Sequence, residues 1–260
     1  MHRVESADGT QIAVWKAGVG PPLLLVHGTT ADHTRWARVS PILEERFTVF
    51  AMDRRGRGES TDTLPYAIQR EGEDVAAVAE WIGSAVTVLG HSYGAICAIE
   101  AALRTPAIRR LVLYEPPIPT GLEMVAAGVL ENVADLLEQG DPEQALVVFF
   151  REVVKVPEQQ LEVLRSQPVW PKRIAAAHTL VREMRIEGMD QFPAAELNAL
   201  RIPVTLLLGT DSPEMLKAGT RHVHAAVSHS EIVEMAGQQH VAMDVIPEEF
   251  ARLVTAAAQA

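Results

Sequence analysis

A five-residue turn constrains this 260-residue chain more than any other segment. Residues 90–94 read Gly-His-Ser-Tyr-Gly, between an apolar, β-branched run at 85–89 and an alanine-rich helical stretch at 95–104. So sharp a turn from strand to helix strains the backbone of the serine. Side chains at the flanking positions would collide with neighbouring atoms, and glycine avoids this collision. The pattern predicts a buried strand, a tight turn that presents Ser92, and a helix.

Short apolar segments alternate with helical segments along most of the chain. Eight of them have the length and composition of strands, at residues 3–6, 11–16, 22–27, 47–52, 86–89, 111–114, 203–208 and 231–235. Asp8-Gly9, between the first two, is a hairpin signal and predicts an antiparallel pair. Short, doubly apolar strands separated by helices are typical of parallel sheets. We therefore expect the α/β class, with a mostly parallel sheet of about eight strands and helices on both faces.

The alternation stops in residues 116–199. Helical stretches follow one another there, at 122–138, 142–154, 158–166 and 171–187. We expect residues 1–115 and 200–260 to form the core, and 116–199 to form a helical cap inserted between the sixth and seventh strands. Ligands of open α/β sheets bind beyond the carboxyl ends of the strands, so the cap should cover that edge.

Composition argues against several classes of partner. A formal net charge of −11 and a pI near 5.3 disfavour binding to nucleic acid or to an anionic membrane. Cys97 is the single cysteine, so no intramolecular disulfide can form. The chain shows no apolar signal core and no apolar run of transmembrane length, so we expect a cytoplasmic protein. Metal-ligand motifs and phosphate-binding glycine loops are absent from the sequence, so neither a metal nor a cofactor is expected.

Four motifs together give the chain a likeness to a known superfamily. They are His27-Gly28-Thr29 after the third strand, residues 53–60 after the fourth, the Ser92 turn, and Gly237-Gln238-Gln239-His240 near the end. In this order they resemble the α/β-hydrolase superfamily over nearly the whole chain. The resemblance implies the α/β-hydrolase fold and a serine, an acid and a histidine, in that chain order, acting on a small-molecule acyl substrate.

His240 lies where this superfamily keeps its general base. The hydroxyl of Ser92 stays protonated at neutral pH and is a poor nucleophile alone. A neutral imidazole must accept its proton and later deliver it to the leaving group. Ser92 and His240 are therefore the candidate nucleophile and base.

Two carboxylates are candidates for the acid that orients His240. Asp211 follows the seventh strand, where most members carry their acid in a Gly-x-x-Asp pattern. In this chain the aspartate comes one place early and Ser212 occupies the usual position. Glu115 ends the sixth strand, from which some members, including lactone-cleaving enzymes, draw their acid. We favour Glu115 and keep Asp211 as the alternative.

Backbone amides are the expected stabilisers of a reaction oxyanion. The amide of Tyr93 directly follows the nucleophile at a helix N-terminus, and that of Thr29 follows His27-Gly28. Bulky side chains are candidates for the substrate-binding wall, although each could equally belong to a hydrophobic core. The candidates are Trp36, Met124, Phe149, Trp170 and His178.

The expected activity is hydrolysis of a carboxylic ester, lactone or thioester through an acyl-enzyme. The same residues also support perhydrolase or haloperoxidase-like activity, carbon–carbon bond hydrolysis and acyl transfer, because fold does not settle chemistry. A ligand sensor with slow turnover is the alternative from another class. Substrate identity and oligomeric state stay open.

Overall fold

One eight-stranded sheet organises the computed structural model, which describes residues 1–83, 85–187 and 197–259. The strands are β1 His2–Glu5, β2 Gln11–Ala17, β3 Pro22–Val26, β4 Thr48–Met52, β5 Val86–His91, β6 Ile108–Tyr114, β7 Val204–Gly209 and β8 Ser230–Met235. Their order across the sheet is β1-β2-β4-β3-β5-β6-β7-β8. Strand β2 is antiparallel to β1 and β4, and β3 to β8 pair in parallel. The predicted α/β class and mostly parallel sheet are confirmed.

Helices cover both faces of the sheet. Those of the described residues are α1 Ser40–Leu43, α2 Ile68–Ile82, α3 Tyr93–Ala102, α4 Val129–Glu138, α5 Pro142–Val148, α6 Glu158–Arg165, α7 Trp170–Ala175, α8 Leu180–Glu187, α9 Glu214–Ala226, α10 Ala242–Val245 and α11 Pro247–Gln259. Strand β3 shows how the strands divide between two cores. Leu24 packs with side chains of α2, α3 and α9, whereas Leu25 packs with those of α1 and α11. None of the described helices has the length and apolar character that crossing a membrane requires.

Helices α4 to α8 lie between β6 and β7 and share a hydrophobic core of their own. A helix predicted over 122–138 begins only at Val129, because Gly128 has a φ of 81°, outside the helical region. The helix predicted over 142–154 is α5 followed by a π-helical turn, Phe149–Val153. Residues 188–196 of the predicted cap lie outside the described residues.

A buried ionic network joins these inserted helices to the sheet-bearing part of the chain. Arg54, after β4, has its Nη2 2.7 Å from Glu71 Oε1 on α2 and 2.6 Å from Glu183 Oε1 on α8. Arg57 also contacts both carboxylates. Burial alone would raise the pKa of Glu71, but the two guanidinium groups hold it below its usual value. Such buried charges persist only as a paired set, so the network fixes α8 against the core.

Candidate active site

The turn at residues 90–94 joins β5 to α3 and carries Ser92. Ser92 has φ 55° and ψ −129°, a conformation that residues with side chains rarely adopt. A Cβ on Gly90 would lie 2.6 Å from the Cα of Ala95. A Cβ on Gly94 would lie 2.4 Å from two backbone oxygens at the end of β3. Both glycines are therefore sterically required, and the strain at Ser92 is held by the packed elements around it.

Ser92 and His240 line the same cavity, which has a volume of about 430 Å³. His240 Nδ1 lies 2.6 Å from Glu115 Oε2, so Nδ1–H donates to the carboxylate and Nε2 is left as an acceptor. Among the described residues Ser92 Oγ forms no hydrogen bond. In ligand-free enzymes the hydrogen bond between nucleophile and base is often long or absent and forms only when substrate binds. The structure therefore brings a candidate nucleophile and a candidate base to one cavity.

Glu115 is completely buried at the end of β6 and has three hydrogen-bond donors. Its Oε1 accepts from the amide of Gly209 at 2.7 Å and from the hydroxyl of Ser212 at 2.5 Å. Its Oε2 accepts from His240. Burying a carboxylate is costly unless such donors are present, so the site is built to hold a charged carboxylate against the imidazole.

Asp211, the alternative acid, does not contact His240. It is exposed, and its Oδ1 accepts from the hydroxyl of Thr210 at 3.0 Å. Ser212, the next residue, is buried and reaches Glu115 instead. The one-residue displacement seen in the sequence therefore turns the aspartate to solvent and places a hydroxyl at the acid.

Two side chains that the sequence analysis did not single out hold the His240 loop in place. His91 Nε2 donates to the backbone oxygen of His240 at 3.0 Å, and the two rings contact each other with centroids 4.6 Å apart and planes tilted by 40°. The hydroxyl of Tyr114 donates to the backbone oxygen of Gln239 and accepts from the amide of Ala242. Burial lowers the pKa of His91, so His91 is a neutral support. The sequence indicated a role for His91 only through its position directly before Ser92.

The loop after β3 closes over the serine. A Cβ on Gly28 would lie 2.9 Å from Ser92 Cβ, so only glycine permits this approach without a shift. His27 fixes the loop, because its Nδ1–H donates to Gly28 O at 2.8 Å and its Nε2 accepts from the amide of Arg54 at 3.1 Å. Burial lowers the pKa of His27 to about 4, which keeps it neutral. The amides of Thr29 and of Tyr93, the first residue of α3, are unpaired within the described backbone and flank Ser92.

The walls of the cavity are mainly apolar and come from both the core and the inserted helices. Met124 and Phe149, two of the candidate wall residues, line it together with Phe150 and Val153. The hydroxyl of Tyr93 points away, into a 2.9 Å contact with that of Tyr66. Only the backbone of Tyr93 is therefore placed to serve the site.

The prediction that Trp36, Trp170 and His178 belong to the substrate-binding wall is wrong. Trp36 is fully buried in the core beneath the sheet. Trp170 packs inside the core of the inserted helices, with its Nε1 donating to Glu143 at 3.0 Å. His178 is exposed and its Nδ1 donates to Ala175 O at 2.9 Å. None of the three lines the cavity, because periodicity shows that a bulky residue is buried but not which interior it enters.

One cluster outside the cavity has metal-ligand residue types. Asp32, His33 and Asp53 bring their ligand atoms within 4.8 Å of one another. Asp53 Oδ1 already accepts from the amide of His33 at 2.7 Å and lies 2.8 Å from His33 Nδ1. Asp53 Oδ2 accepts from the amide of Glu59, and Asp32 binds Thr34 and Lys172. The carboxylates are satisfied by protein donors, so the cluster is explained as a structural brace.

The fold and the site together place the chain in a family. Residues 23–253 match the alpha/beta hydrolase family, and the chain belongs to it. An alpha/beta hydrolase from Sphaerobacter thermophilus DSM 20745 is similar in structure, with a TM-score of 0.88 and 33% identity over 98% of this chain and 99% of that one. An esterase from Rhodococcus sp. ECU1013 superposes with a TM-score of 0.78 at 24% identity, over 100% of this chain and 98% of that one.

A curated relative matches a smaller part of the chain. A Mycobacterium tuberculosis protein named "Probable oxidoreductase EphD" is 36% identical over 118 residues, which are 43% of this chain and 20% of the relative. The match thus spans about a fifth of the relative's length, and the activity of that whole protein does not pass to this chain.

Proposed function

We propose that the protein is a serine hydrolase that cleaves a carboxylic ester, lactone or thioester through an acyl-enzyme. The observation that carries the proposal is the arrangement of Glu115, His240 and Ser92 at one cavity. Glu115 holds Nδ1 of His240 at 2.6 Å, and His240 shares the cavity with the strained serine at position 92.

The first chemical step is attack by Ser92 Oγ on the acyl carbon. The hydroxyl proton passes to His240 Nε2, which is free to accept because Nδ1–H is engaged by Glu115. The negative charge of the carbonyl oxygen is received by the amides of Thr29 and Tyr93. His240 then protonates the leaving oxygen or sulfur, and the acyl-enzyme forms.

The second step returns the enzyme to its starting state. A water molecule gives a proton to His240 Nε2 and attacks the acyl carbon, and the acid product leaves as Ser92 Oγ recovers its proton. Glu115 keeps its charge throughout and stabilises the imidazolium that forms twice in the cycle. Protein groups perform every step, so the reaction needs no cofactor.

The cavity supports a small, largely apolar acyl substrate. Its volume of about 430 Å³ lies in the range of small-molecule sites. Apolar walls such as Met124 and Phe149 suit a hydrocarbon group beside the reacting carbonyl.

A panel of p-nitrophenyl esters, lactones and thioesters tests the proposal. Wild-type protein should turn over at least one class, and Ser92→Ala should lose on the order of 10⁴-fold or more in kcat. Ser166→Ala, which replaces an exposed serine directly after α6, is the matched control and should behave as wild type. Equal rates in wild type and Ser92→Ala would remove Ser92 from the mechanism.

The same panel separates the other activities that this site could perform. Peroxide or an alcohol added as second substrate reveals perhydrolysis or acyl transfer. A substrate with a cleavable carbon–carbon bond reveals carbon–carbon bond hydrolysis. A ligand sensor would bind panel members with turnover far below the usual range of about 1 to 10³ per second.

A further inference from the structure

One arginine in the cavity has no carboxylate partner. Arg173, on α7, lines the cavity that contains Ser92 and His240. Its Nη1 donates to the hydroxyl of Thr30 at 3.1 Å, and its guanidinium lies 5.4 Å from the centre of the Phe150 ring. Thr30 directly follows Thr29, so the guanidinium is tied to the loop that flanks the serine.

The lack of a partner distinguishes Arg173 from the buried arginines of this protein. Arg54, Arg55 and Arg57 each bind at least one carboxylate. Within the described residues Arg173 forms no ion pair, and its buried Nε has no hydrogen-bond partner. Asp32 and Asp244 are near enough to influence its charge, but they pair with Lys172 and Arg35 instead.

This arrangement leaves an excess of positive charge in the cavity. Burial, followed by the charge of Arg35, lowers the pKa of Arg173 to about 10, so the guanidinium is still charged at neutral pH. The cavity-lining carboxylate of Asp244 is bound by Arg35 at 2.6 Å. Arg173 is half-buried with a buried Nε, and an unpaired cation in such a place costs free energy that a bound anion recovers.

We propose that the substrate carries a second, free carboxylate, which Arg173 binds while Ser92 attacks the ester, lactone or thioester carbonyl. The inference rests on the proposed hydrolase function and names its substrate class: a half-ester, or a lactone or thioester with a free carboxylate. A guanidinium matches the plane and single charge of a carboxylate. The apolar wall at Met124, Phe149 and Phe150 suits a short hydrocarbon link between the two groups.

Two p-nitrophenyl esters of nearly equal shape test the proposal. Mono-p-nitrophenyl glutarate carries the carboxylate, and p-nitrophenyl 5-methylhexanoate has an isopropyl group in its place. Wild type should favour the glutarate in kcat/KM. Arg173→Gln should lose about 10- to 100-fold on the glutarate, the value of a charge-assisted contact, and less than 3-fold on the neutral ester. Arg173→Lys should recover part of the loss.

A matched control separates local recognition from a change in net charge. Arg151→Gln removes one positive charge from an exposed ion pair with Glu158 and should leave both esters unaffected. Equal loss on both esters in Arg173→Gln would overturn the proposal, since it would assign Arg173 to the reacting centre or to folding. Preference of wild type for the neutral ester would also overturn it.

Binding without turnover keeps this inference distinct from the proposed hydrolysis. Ser92→Ala should bind monomethyl glutarate in calorimetry, and the double variant Ser92→Ala, Arg173→Gln should bind it at least 10-fold more weakly. If the double variant binds more weakly in this way but wild type hydrolyses no ester, the hydrolase function is wrong and the carboxylate-binding role of Arg173 stands. Turnover of both esters with no binding of monomethyl glutarate to Ser92→Ala would do the reverse.

Discussion

Ser212 donates a 2.5 Å hydrogen bond to Oε1 of Glu115, the carboxylate whose other oxygen holds His240. The loop after β7 therefore supports the carboxylate that follows β6, which we propose as the acid of the site. In this chain the position that carries a hydroxyl, Ser212, donates to the buried carboxylate at the end of the neighbouring strand, β6. The first two predictions follow from this contact.

Glu115→Gln should lower kcat by about 10⁴-fold, because the amide leaves the imidazolium without its counter-charge and permits the wrong tautomer. Asp211→Asn should change kcat by less than 3-fold, since Asp211 is exposed and bonded to Thr210. Steady-state kinetics on the best ester of the panel measures both variants. A large loss of kcat in Asp211→Asn together with normal kcat in Glu115→Gln would identify Asp211, after β7, as the acid.

Ser212→Ala should lower stability and activity together, but less than the loss of the acid. The variant removes one of the three donors to a buried carboxylate, at a cost of about 2 kcal/mol in the free energy of unfolding. Urea unfolding measures this cost, and kcat should fall by about 10-fold because Glu115 is less firmly placed. An unchanged midpoint of unfolding would show that the hydroxyl contributes nothing to holding Glu115.

Glu183→Gln should destabilise the protein by about 3 kcal/mol, since it leaves Arg54 and Arg57 with Glu71 as their shared counter-charge. Glu158→Gln is the control, because it breaks an exposed pair with Arg151 and should leave the midpoint of unfolding nearly unchanged. Equal unfolding midpoints for the two variants would show that the buried network does not anchor α8.

Acidification should destabilise the fold through His27. Burial lowers its pKa from 6.5 to about 4, so between these pH values the unfolded chain takes up a proton that the folded chain excludes. The stability given by neutral His27 is complete above about pH 6.5. It is lost as the pH falls towards 4, by at most about 1.4 kcal/mol per pH unit.

Comparison with His27→Gln isolates this contribution. Buried His91 acts in the same direction, and Asp74, whose pKa burial raises to about 6, acts in the opposite direction. Both remain in the variant, so only the His27 proton is removed. Urea unfolding at several pH values between 4 and 7 should give a shallower slope for His27→Gln, and equal slopes would contradict the assignment.

The sheet and the serine turn could be predicted because they depend on local chemistry. The continuous apolar run of β3, which is buried on both faces of the sheet, and the steric demand at Gly90 and Gly94 leave few alternatives. Glu115 and Asp211 could only be ranked as candidates from the sequence. The choice depends on which side chain a turn directs inward, and a shift of one residue along the turn reverses that direction. The two tryptophan candidates failed for a related reason, since burial of Trp36 and Trp170 says nothing about which interior receives them.

Arg173 shows a further limit of the sequence. Nothing around it in the chain distinguishes it from the arginines that form ion pairs, and its isolation becomes visible only when the carboxylates near it are found bound to other cations. An unpaired charge is a property of the folded arrangement.

Covalent capture tests the central claim most directly. An organophosphate such as diethyl p-nitrophenyl phosphate should react with Ser92 Oγ, forming a phosphate ester and releasing p-nitrophenolate. Mass spectrometry of the tryptic peptide 71–104 should then place the diethylphosphoryl group on Ser92, with His240→Gln labelled far more slowly and Ser92→Ala not labelled in this peptide. Equal labelling of wild type and His240→Gln, or a label on another residue of wild type, would contradict a serine made nucleophilic by the imidazole beside it.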